Sequence, residues 1–319
     1  MRILTPACLY LFVLAQAGIA QEPKSAKAAD NVVRTEDVIY GRKFGMALTM
    51  DVLAPKENAN NRGIIFCVSG GWFSGKPGAN FGFGRVYVER GYTVFAVVHG
   101  SQPKFTIPEV LEDMHRAVRF IKSNAVKYNV DPDKLGISGG SAGGHLSLMQ
   151  GCAPLEGNPK APDPVERQSS KIAAVACLFP PTDFLNYGKK GEVALGYGTL
   201  RDFRAPFDFR ELDPITRSFI PILDEGRRRA IGKKISPVYH VTKDSAPALI
   251  IHGDADTLVP IQQAESIIAK MKENNVPCEL AVRKGAGHGG PAFVNDEKVM
   301  ADWFDKHLLG KSPVSSKSE

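Results

Sequence analysis

The sequence has few cysteines, and their spacing excludes the common zinc-binding patterns. Only five occur in 319 residues, no C-x-x-C pair is present, and the chain has no H-E-x-x-H motif. We therefore expect neither a metal nor another cofactor. The cysteines after the first twenty residues are Cys67, Cys152, Cys177 and Cys278. Their spacing predicts no particular disulfide, and Cys67 and Cys177 lie in apolar runs where a free thiol packs as a small core residue.

A large excess of charge of one sign is also lacking. Forty Lys and Arg stand against 34 Asp and Glu, which gives a net charge of +6 at pH 7. One basic cluster, "EGRRRAIGKK" from Glu225 to Lys234, has no aromatic residues interleaved with it. No nucleic-acid-binding motif accompanies the cluster, so we predict solvated surface charge and no nucleic-acid partner.

The chain has only one stretch typical of a membrane-targeting segment, at its start. Arg2 precedes the apolar run "ACLYLFVLA", and small residues follow at Gly18 and Ala20. This order is typical of a secretory signal peptide over residues 1–20, with cleavage after Ala20. The run is too short to span a bilayer comfortably. We therefore predict a secreted or periplasmic protein with no stable membrane insertion after cleavage.

The remaining sequence alternates short apolar runs with segments of helical periodicity. Two alternating segments, 31–42 and 47–55, predict an initial antiparallel strand pair. Six further strand-like runs follow, at 62–68, 92–98, 133–138, 171–179, 247–253 and 278–284. Such strands, alternating with helices, predict an α/β fold with a mostly parallel sheet of about eight strands, covered by helices on both faces. We predict one such domain over 32–310, with flexible segments at 21–31 and 311–319.

Residues 180–235 interrupt this alternation. The segment is rich in Pro, Phe, Arg and Asp and is too long for a simple connection, so we predict a small lid-like insertion. Because it directly follows a sheet strand, it can overhang the carboxyl edge of the sheet. Its aromatic side chains can form the insertion's own core or stack on a sugar or aryl group. They are Phe184, Tyr187, Tyr197, Phe203, Phe207, Phe209 and Phe219, with Phe179 just before them and Trp72 and Phe73 in an earlier turn.

Ser141 lies in a glycine-rich turn between a predicted strand and a predicted helix. The stretch "LGISGGSAGGHLSLM" contains G-x-S-x-G over Gly139–Gly143. A strand that turns directly into a helix forces the serine into an unfavourable backbone conformation, and glycines on either side avoid clashes. Such a turn exposes the hydroxyl and places helix N–H groups beside it. A flexible loop without chemistry is the other interpretation of this pattern alone.

Two further polar residues follow later predicted strands. "LIIHGDADTLVP" offers Asp254 and Asp256, "KGAGHGG" offers His288, and Asp183 follows an earlier strand. Strand ends in an open parallel sheet converge on one crevice. The chain order Ser, Asp, His therefore predicts a nucleophile, an acid and a base that meet at this edge.

Together these stretches resemble the α/β-hydrolases of the esterase and lipase group. That group includes hormone-sensitive-lipase-like, feruloyl and acetyl-xylan esterase-like, and prolyl-oligopeptidase-like enzymes, and the resemblance covers the chain from about Val32 to Leu309. The resemblance implies that Ser141 is the nucleophile, His288 the general base and Asp256 the acid that orients it. The family spacing H-G-x-x-D-x-x-V-P favours Asp256 over its neighbour.

The resemblance also implies an oxyanion hole built from backbone N–H groups. One donor is Ala142, the residue after the nucleophile, and the others come from the turn "SGGWFSG" at Gly70, Gly71 or Trp72. Relatives have a histidine and glycines before the tryptophan, whereas this chain has Val68 and Ser69 where His and Gly are expected. The choice among the three donors in this turn stays open from the sequence.

The function that follows is an exported serine carboxylic-ester hydrolase that works through an acyl-enzyme. We expect short acyl esters, from acetyl to butyryl, on aryl or carbohydrate alcohols, as small molecules or attached to a polysaccharide. Two alternatives stay open. One is a serine exopeptidase of the prolyl-oligopeptidase type, and the other is a binding protein that kept the fold without the activity.

Overall fold

The computed structural model describes residues 31–76 and 84–311. The predicted signal peptide and nearly all of the two predicted flexible segments lie outside these residues. Within the described part of the chain, no helix combines the length and the apolar character needed to cross a membrane.

Ten strands form in the described residues, eight of them in one sheet. The eight are β1 (Val32–Lys43), β2 (Met46–Pro55), β3 (Gly63–Val68), β4 (Thr93–Val98), β5 (Leu135–Gly140), β6 (Ala174–Leu178), β9 (Ala248–Gly253) and β10 (Cys278–Arg283). Their order across the sheet is β1-β2-β4-β3-β5-β6-β9-β10. The first two strands run antiparallel to their neighbours, and the other six are parallel. The prediction of a mostly parallel sheet of about eight strands is confirmed.

Six helices lie along the described chain. They are α1 (Arg85–Glu89), α2 (Ile107–Ser123), α3 (Ala142–Cys152), α4 (Glu225–Lys234), α5 (Gln262–Glu273) and α6 (Asp296–Leu309). The start of α2 shows why the helix begins there. Thr106 and Glu109 form a capping box, and a proline occupies the first turn. These groups satisfy the free N–H groups of the first turn, so the helix begins sharply after β4.

Both faces of the central strands are buried, and their side chains point alternately to opposite faces. In β3, Ile64 packs with α1 and α6, whereas Ile65 packs with α2 and α3 on the other side. In β9, Ile251 packs on the face covered by α1 and α6, and Ile250 packs on the face covered by α2 and α3. This arrangement explains the continuous apolar runs in the sequence and places the carboxyl ends of the parallel strands at one edge.

The insertion after β6 carries its own small elements. A hairpin forms from β7 (Arg210–Leu212) and β8 (Phe219–Pro221), and α4 follows it. The basic cluster predicted as solvated charge is this helix, whose residues are exposed apart from three that are buried or half-buried. Phe184, Tyr187, Phe207 and Phe209 are fully buried within the insertion and against the sheet. These four side chains therefore serve the insertion's own core.

All four described cysteines are free thiols. Cys67, Cys152 and Cys177 are buried, and burial raises the pKa of the Cys67 and Cys152 thiols to about 12. A thiol with such a pKa is protonated at neutral pH and behaves as a small apolar side chain. These three cysteines therefore contribute to packing.

Candidate active site

Ser141 sits in a strained turn between β5 and α3. Its backbone has φ 53° and ψ −119°, a region that non-glycine residues rarely adopt and that is found mainly at functional sites. Glycines make the turn possible. A Cβ on Gly139 would lie 2.6 Å from the carbonyl carbon of Gly143, and one on Gly143 would lie 2.8 Å from the Cys67 oxygen. The turn thus needs glycine on both sides so that the serine hydroxyl is presented at the edge of the sheet.

His288 connects Ser141 to Asp256. Its Nε2 lies 2.9 Å from Ser141 Oγ, and its Nδ1 lies 2.7 Å from Asp256 Oδ2. The histidine follows β10 and the aspartate follows β9, which are neighbours in the sheet. The three side chains that the sequence pattern singled out therefore form one continuous hydrogen-bonded chain.

The Asp256 carboxylate is held by the loop after β9. Its Oδ1 accepts the backbone N–H groups of Leu258 and Val259 at 3.0 and 2.9 Å. His252 Nε2 lies 3.5 Å from Oδ2. Burial opposes ionisation of this carboxyl, but the hydrogen bonds from His252, His288 and the Val259 N–H outweigh burial and hold its pKa well below the usual range. Asp256 is therefore ionised at neutral pH.

The two other candidate acids have different partners. Asp254 accepts the Gly285 N–H at 2.6 Å and lies 3.1 Å from the Lys284 ammonium. Asp183 accepts the backbone N–H groups of Leu185 and Asn186 and the Tyr239 hydroxyl. Neither carboxylate bonds to His288 in the described structure, so the geometry leaves Asp256 as the partner of the histidine.

The four predicted oxyanion donors differ in availability. The Gly70 N–H donates to the Phe73 carbonyl at 3.0 Å, so this bond already occupies the Gly70 donor. By contrast, the N–H groups of Gly71, Trp72 and Ala142 have no hydrogen-bond acceptor among the described residues. Gly71 and Trp72 also line a cavity with Ser141. We therefore keep Gly71, Trp72 and Ala142 as candidate donors and remove Gly70 from the set.

A serine–histidine pair stands behind the oxyanion turn, and the sequence did not reveal it. The Ser69 hydroxyl lies 2.9 Å from His99 Nε2, and His99 Nδ1 lies 2.8 Å from the Gly100 carbonyl. A carbonyl only accepts, so Nδ1 carries the hydrogen and Nε2 accepts from Ser69. Burial lowers the pKa of His99 to about 4, which keeps the ring neutral at neutral pH. Ser69 thus has a defined hydrogen-bond partner at the position where the resemblance implies glycine.

The tryptophan of the turn is anchored to the insertion through His145. Trp72 Nε1 donates to His145 Nδ1 at 3.2 Å, and His145 Nε2 donates to the Ile235 carbonyl at 2.6 Å. Both side chains are buried. His145 thus connects the oxyanion turn to the end of α4.

Only some of the aromatic residues remain open to a ligand. Trp72 is buried with the four aromatic side chains of the insertion core. Phe179 is half-buried and lies against His288, with ring centroids 4.5 Å apart. Phe203 is half-buried beside the oxyanion turn, and Phe73 is 59% exposed. Among the aromatic residues considered from the sequence, only Phe179, Phe203 and Phe73 therefore remain available near the site to contact a substrate.

Comparison with known proteins places this geometry in a family. The BD-FAE family model matches residues 50–271, which is more than half of the chain. The probable carboxylic ester hydrolase LipM of Mycobacterium tuberculosis is 27% identical over 247 residues, which is 74% of this chain and 51% of LipM. Esterase LipQ of the same organism is 25% identical over 75% of this chain and 53% of its own length. The chain thus spans about half the length of these curated relatives.

Two solved structures have a similar fold over most of this chain. A truncated carbohydrate esterase from gut microbiota is 25% identical, with a TM-score of 0.70 over 87% of this chain and 96% of that one. Thermogutta terrifontis esterase 2, phosphonylated by sarin, is 25% identical, with a TM-score of 0.67 over 87% and 96% of the two chains. The chain therefore belongs to the BD-FAE family and has the α/β-hydrolase fold.

Proposed function

We propose that this protein hydrolyses carboxylic esters through an acyl-enzyme formed on Ser141. The observation that carries the proposal is the hydrogen-bonded chain from Ser141 through His288 to Asp256, with distances of 2.9 and 2.7 Å. A serine hydroxyl is a poor nucleophile at neutral pH and needs a base within hydrogen-bond reach. This geometry supplies that base together with an ionised partner that orients it.

In the first half of the reaction, Ser141 Oγ bonds to the ester carbonyl carbon and His288 Nε2 takes the hydroxyl proton. The Asp256 carboxylate stabilises the imidazolium and keeps Nδ1 protonated. The tetrahedral intermediate then collapses. Its bond to the alcohol oxygen breaks, and that oxygen receives the proton from His288. In the second half, a water oxygen bonds to the acyl carbonyl carbon while His288 Nε2 takes the water proton. The bond to Ser141 Oγ then breaks, Oγ receives that proton, and the carboxylic acid is released.

The negative oxygen of the intermediate needs donors that already point at it. We assign this role to the backbone N–H groups of Gly71, Trp72 and Ala142, which have no acceptor in the described structure. Ala142 is also the first residue of α3, where the helix dipole favours negative charge. The Ser69–His99 and Trp72–His145 bonds support the position of the turn.

For the substrate we propose short acyl esters of carbohydrate or aryl alcohols. The loop that carries His288 is lightly packed, since Gly287 is half-buried, Gly290 is exposed and a Cβ at either would meet no atom within 4 Å. Half-buried Phe179 lies against His288 and offers a face on which a sugar or aryl ring can stack. The similarity to a structure described as a carbohydrate esterase supports the same class.

The proposal is tested with acetyl, butyryl and palmitoyl esters of one chromogenic alcohol, run beside aminoacyl anilides and acetylated sugars. We expect the short esters to be hydrolysed and the palmitoyl ester to be poor. Faster cleavage of aminoacyl anilides would indicate an exopeptidase. No turnover of any compound would indicate a binding protein, and palmitoyl hydrolysed fastest with activation at an oil–water interface would indicate a lipase.

We further propose that the protein is exported, on the basis of the apolar segment that follows Arg2 and ends at Ala20. Expression of the full chain in a bacterial host with a general secretion pathway should give a processed product outside the cytoplasm. Its mass should correspond to a chain that starts at Gln21. Recovery of only the unprocessed chain from the cytoplasm would contradict export.

A further inference from the structure

A small cavity lies beside Ser141. Its volume is about 10 Å³, which is room for about one water-sized group. The oxyanion turn contributes part of the wall through Gly71 and Trp72. The insertion contributes another part through Tyr187, Leu200 and Phe203.

The stereochemistry of the proposed reaction assigns this cavity to the acyl group. The alcohol oxygen must receive its proton from His288, so the alcohol leaves on the histidine side. His288 does not line this cavity, whereas Ser141 and the oxyanion turn do. The acyl chain, which stays on the carbonyl carbon when the alcohol leaves, therefore points into this cavity.

Phe203 forms one wall of this cavity and lies in close contact with the oxyanion turn. A Cβ built on Gly71 would lie 2.6 Å from Phe203 Cε1, closer than real carbon atoms approach. Gly71 also has φ +54°, a conformation that glycine adopts without strain. Because Gly71 has no side chain, the Phe203 ring can contact the backbone that carries the proposed oxyanion donors.

The rest of the wall is firmly held. Tyr187 is fully buried, and its hydroxyl donates to the Leu258 carbonyl at 3.1 Å, so its ring presents only carbon to the cavity. Leu200 is buried, and its carbonyl accepts the Phe203 N–H at 3.0 Å. Phe203 is only half-buried. Among these insertion side chains, the Phe203 ring is therefore the one that can be removed with the least damage to the core.

We propose that Phe203 makes the protein prefer acetyl over longer short acyl groups, an inference that rests on the proposed ester hydrolysis. An acetyl group carries one methyl beyond the carbonyl carbon, which matches the space available. A butyryl group carries three carbons, and the second and third meet the Phe203 ring. On this proposal the protein is an esterase that prefers acetyl groups because Phe203 narrows the acyl side of the site.

The test is the ratio of kcat/KM for butyryl and acetyl esters of one chromogenic alcohol. We expect the native protein to prefer acetyl by at least about tenfold, since one or two misplaced methylenes cost about 10- to 200-fold each. Phe203→Ala should raise the butyryl-to-acetyl ratio by about tenfold or more. Phe203→Val, which leaves a larger side chain than alanine, should give a smaller rise in the ratio and serves if the alanine variant is unstable.

Phe219→Ala is the matched control, because Phe219 lies in the same insertion but packs against Phe44 and Arg210 on the hairpin. Its ratio should stay at the native value. An unchanged ratio in folded Phe203 variants, or native turnover of butyryl equal to acetyl, would overturn the assignment of Phe203. Failure of the proposed function looks different, because neither ester would then be hydrolysed and a serine-directed phosphonate would not label the protein.

Discussion

Ser141→Ala is expected to lower turnover of a chromogenic acetyl ester by on the order of a million-fold, as loss of a serine nucleophile does in serine proteases. The variant loses the atom that bonds to the substrate, and no other hydroxyl lies within reach of His288 Nε2 in the described structure. The fold should persist, because alanine removes only the hydroxyl, and the backbone bonds from Ser141 N to the Leu178 carbonyl and from His145 N to the Ser141 carbonyl remain. Steady-state kinetics and thermal unfolding measure the two effects.

A phosphonate directed at serine hydrolases identifies the nucleophile independently of turnover. Peptide mass spectrometry should find the adduct on Ser141 in the native chain and no adduct in the variant. Ser138→Ala is a suitable control, since Ser138 is buried on β5, three residues before Ser141, and its hydroxyl contacts the Met300 sulfur at 3.9 Å. Label on another serine, or substantial activity left in Ser141→Ala, would refute the assignment.

The parts of this molecule that could be predicted from sequence are those fixed by local sterics and periodicity. The turn at Ser141 is an example, since Gly139 and Gly143 are required by backbone atoms only a few residues away or on the adjacent strand. The sheet strands are another example, because a strand buried on both faces must be apolar at successive positions. The family spacing around Asp256 selected the acid that the structure places beside His288.

The parts that could not be predicted depend on contacts between distant segments. Nothing local distinguishes Phe203 from Phe207, yet Phe207 packs against Trp72 in the core while Phe203 lies over Gly71. The Ser69–His99 bond joins the ends of β3 and β4, thirty residues apart. Ser69 departs from the family pattern and His99 lies in none of the motifs, so the sequence did not predict the bond. The loss of Gly70 as a donor likewise depends on a backbone bond to Phe73 that its glycine-rich context does not predict.

Contacts that the sequence did not predict also determine the partners of two charged residues in the insertion. Arg210 bonds to Glu109 on α2, and Arg227 bonds to Glu211 on the hairpin. These two arginines of the insertion are therefore engaged with carboxylates of the protein itself. This pairing weakens the case for acidic substrates and is consistent with neutral esters.

Asp256→Asn is expected to cut turnover by about ten-thousand-fold, the size of effect that the equivalent change has in a serine protease triad. An asparagine can keep the Leu258 and Val259 N–H bonds through its carbonyl oxygen. Its amide nitrogen then faces His288 Nδ1 and donates to it. The ring must shift its hydrogen to Nε2, which can no longer accept the Ser141 proton. The loss should therefore appear in kcat while the thermal stability changes little.

Asp254→Asn is the matched control for this prediction. Asp254 lies two residues away on the same loop, and its carboxylate bonds to the Gly285 N–H and the exposed Lys284 ammonium. An asparagine oxygen can accept the same N–H, and a surface ion pair contributes at most about 1 kcal/mol. Turnover in this variant should stay close to the native value. A larger loss of turnover in Asp254→Asn than in Asp256→Asn, at equal stability, would contradict the assignment of Asp256. The carboxylate that orients His288 during turnover would then be Asp254 and not Asp256, which contacts His288 in this structure. The loop after β9 would have to rearrange when substrate binds.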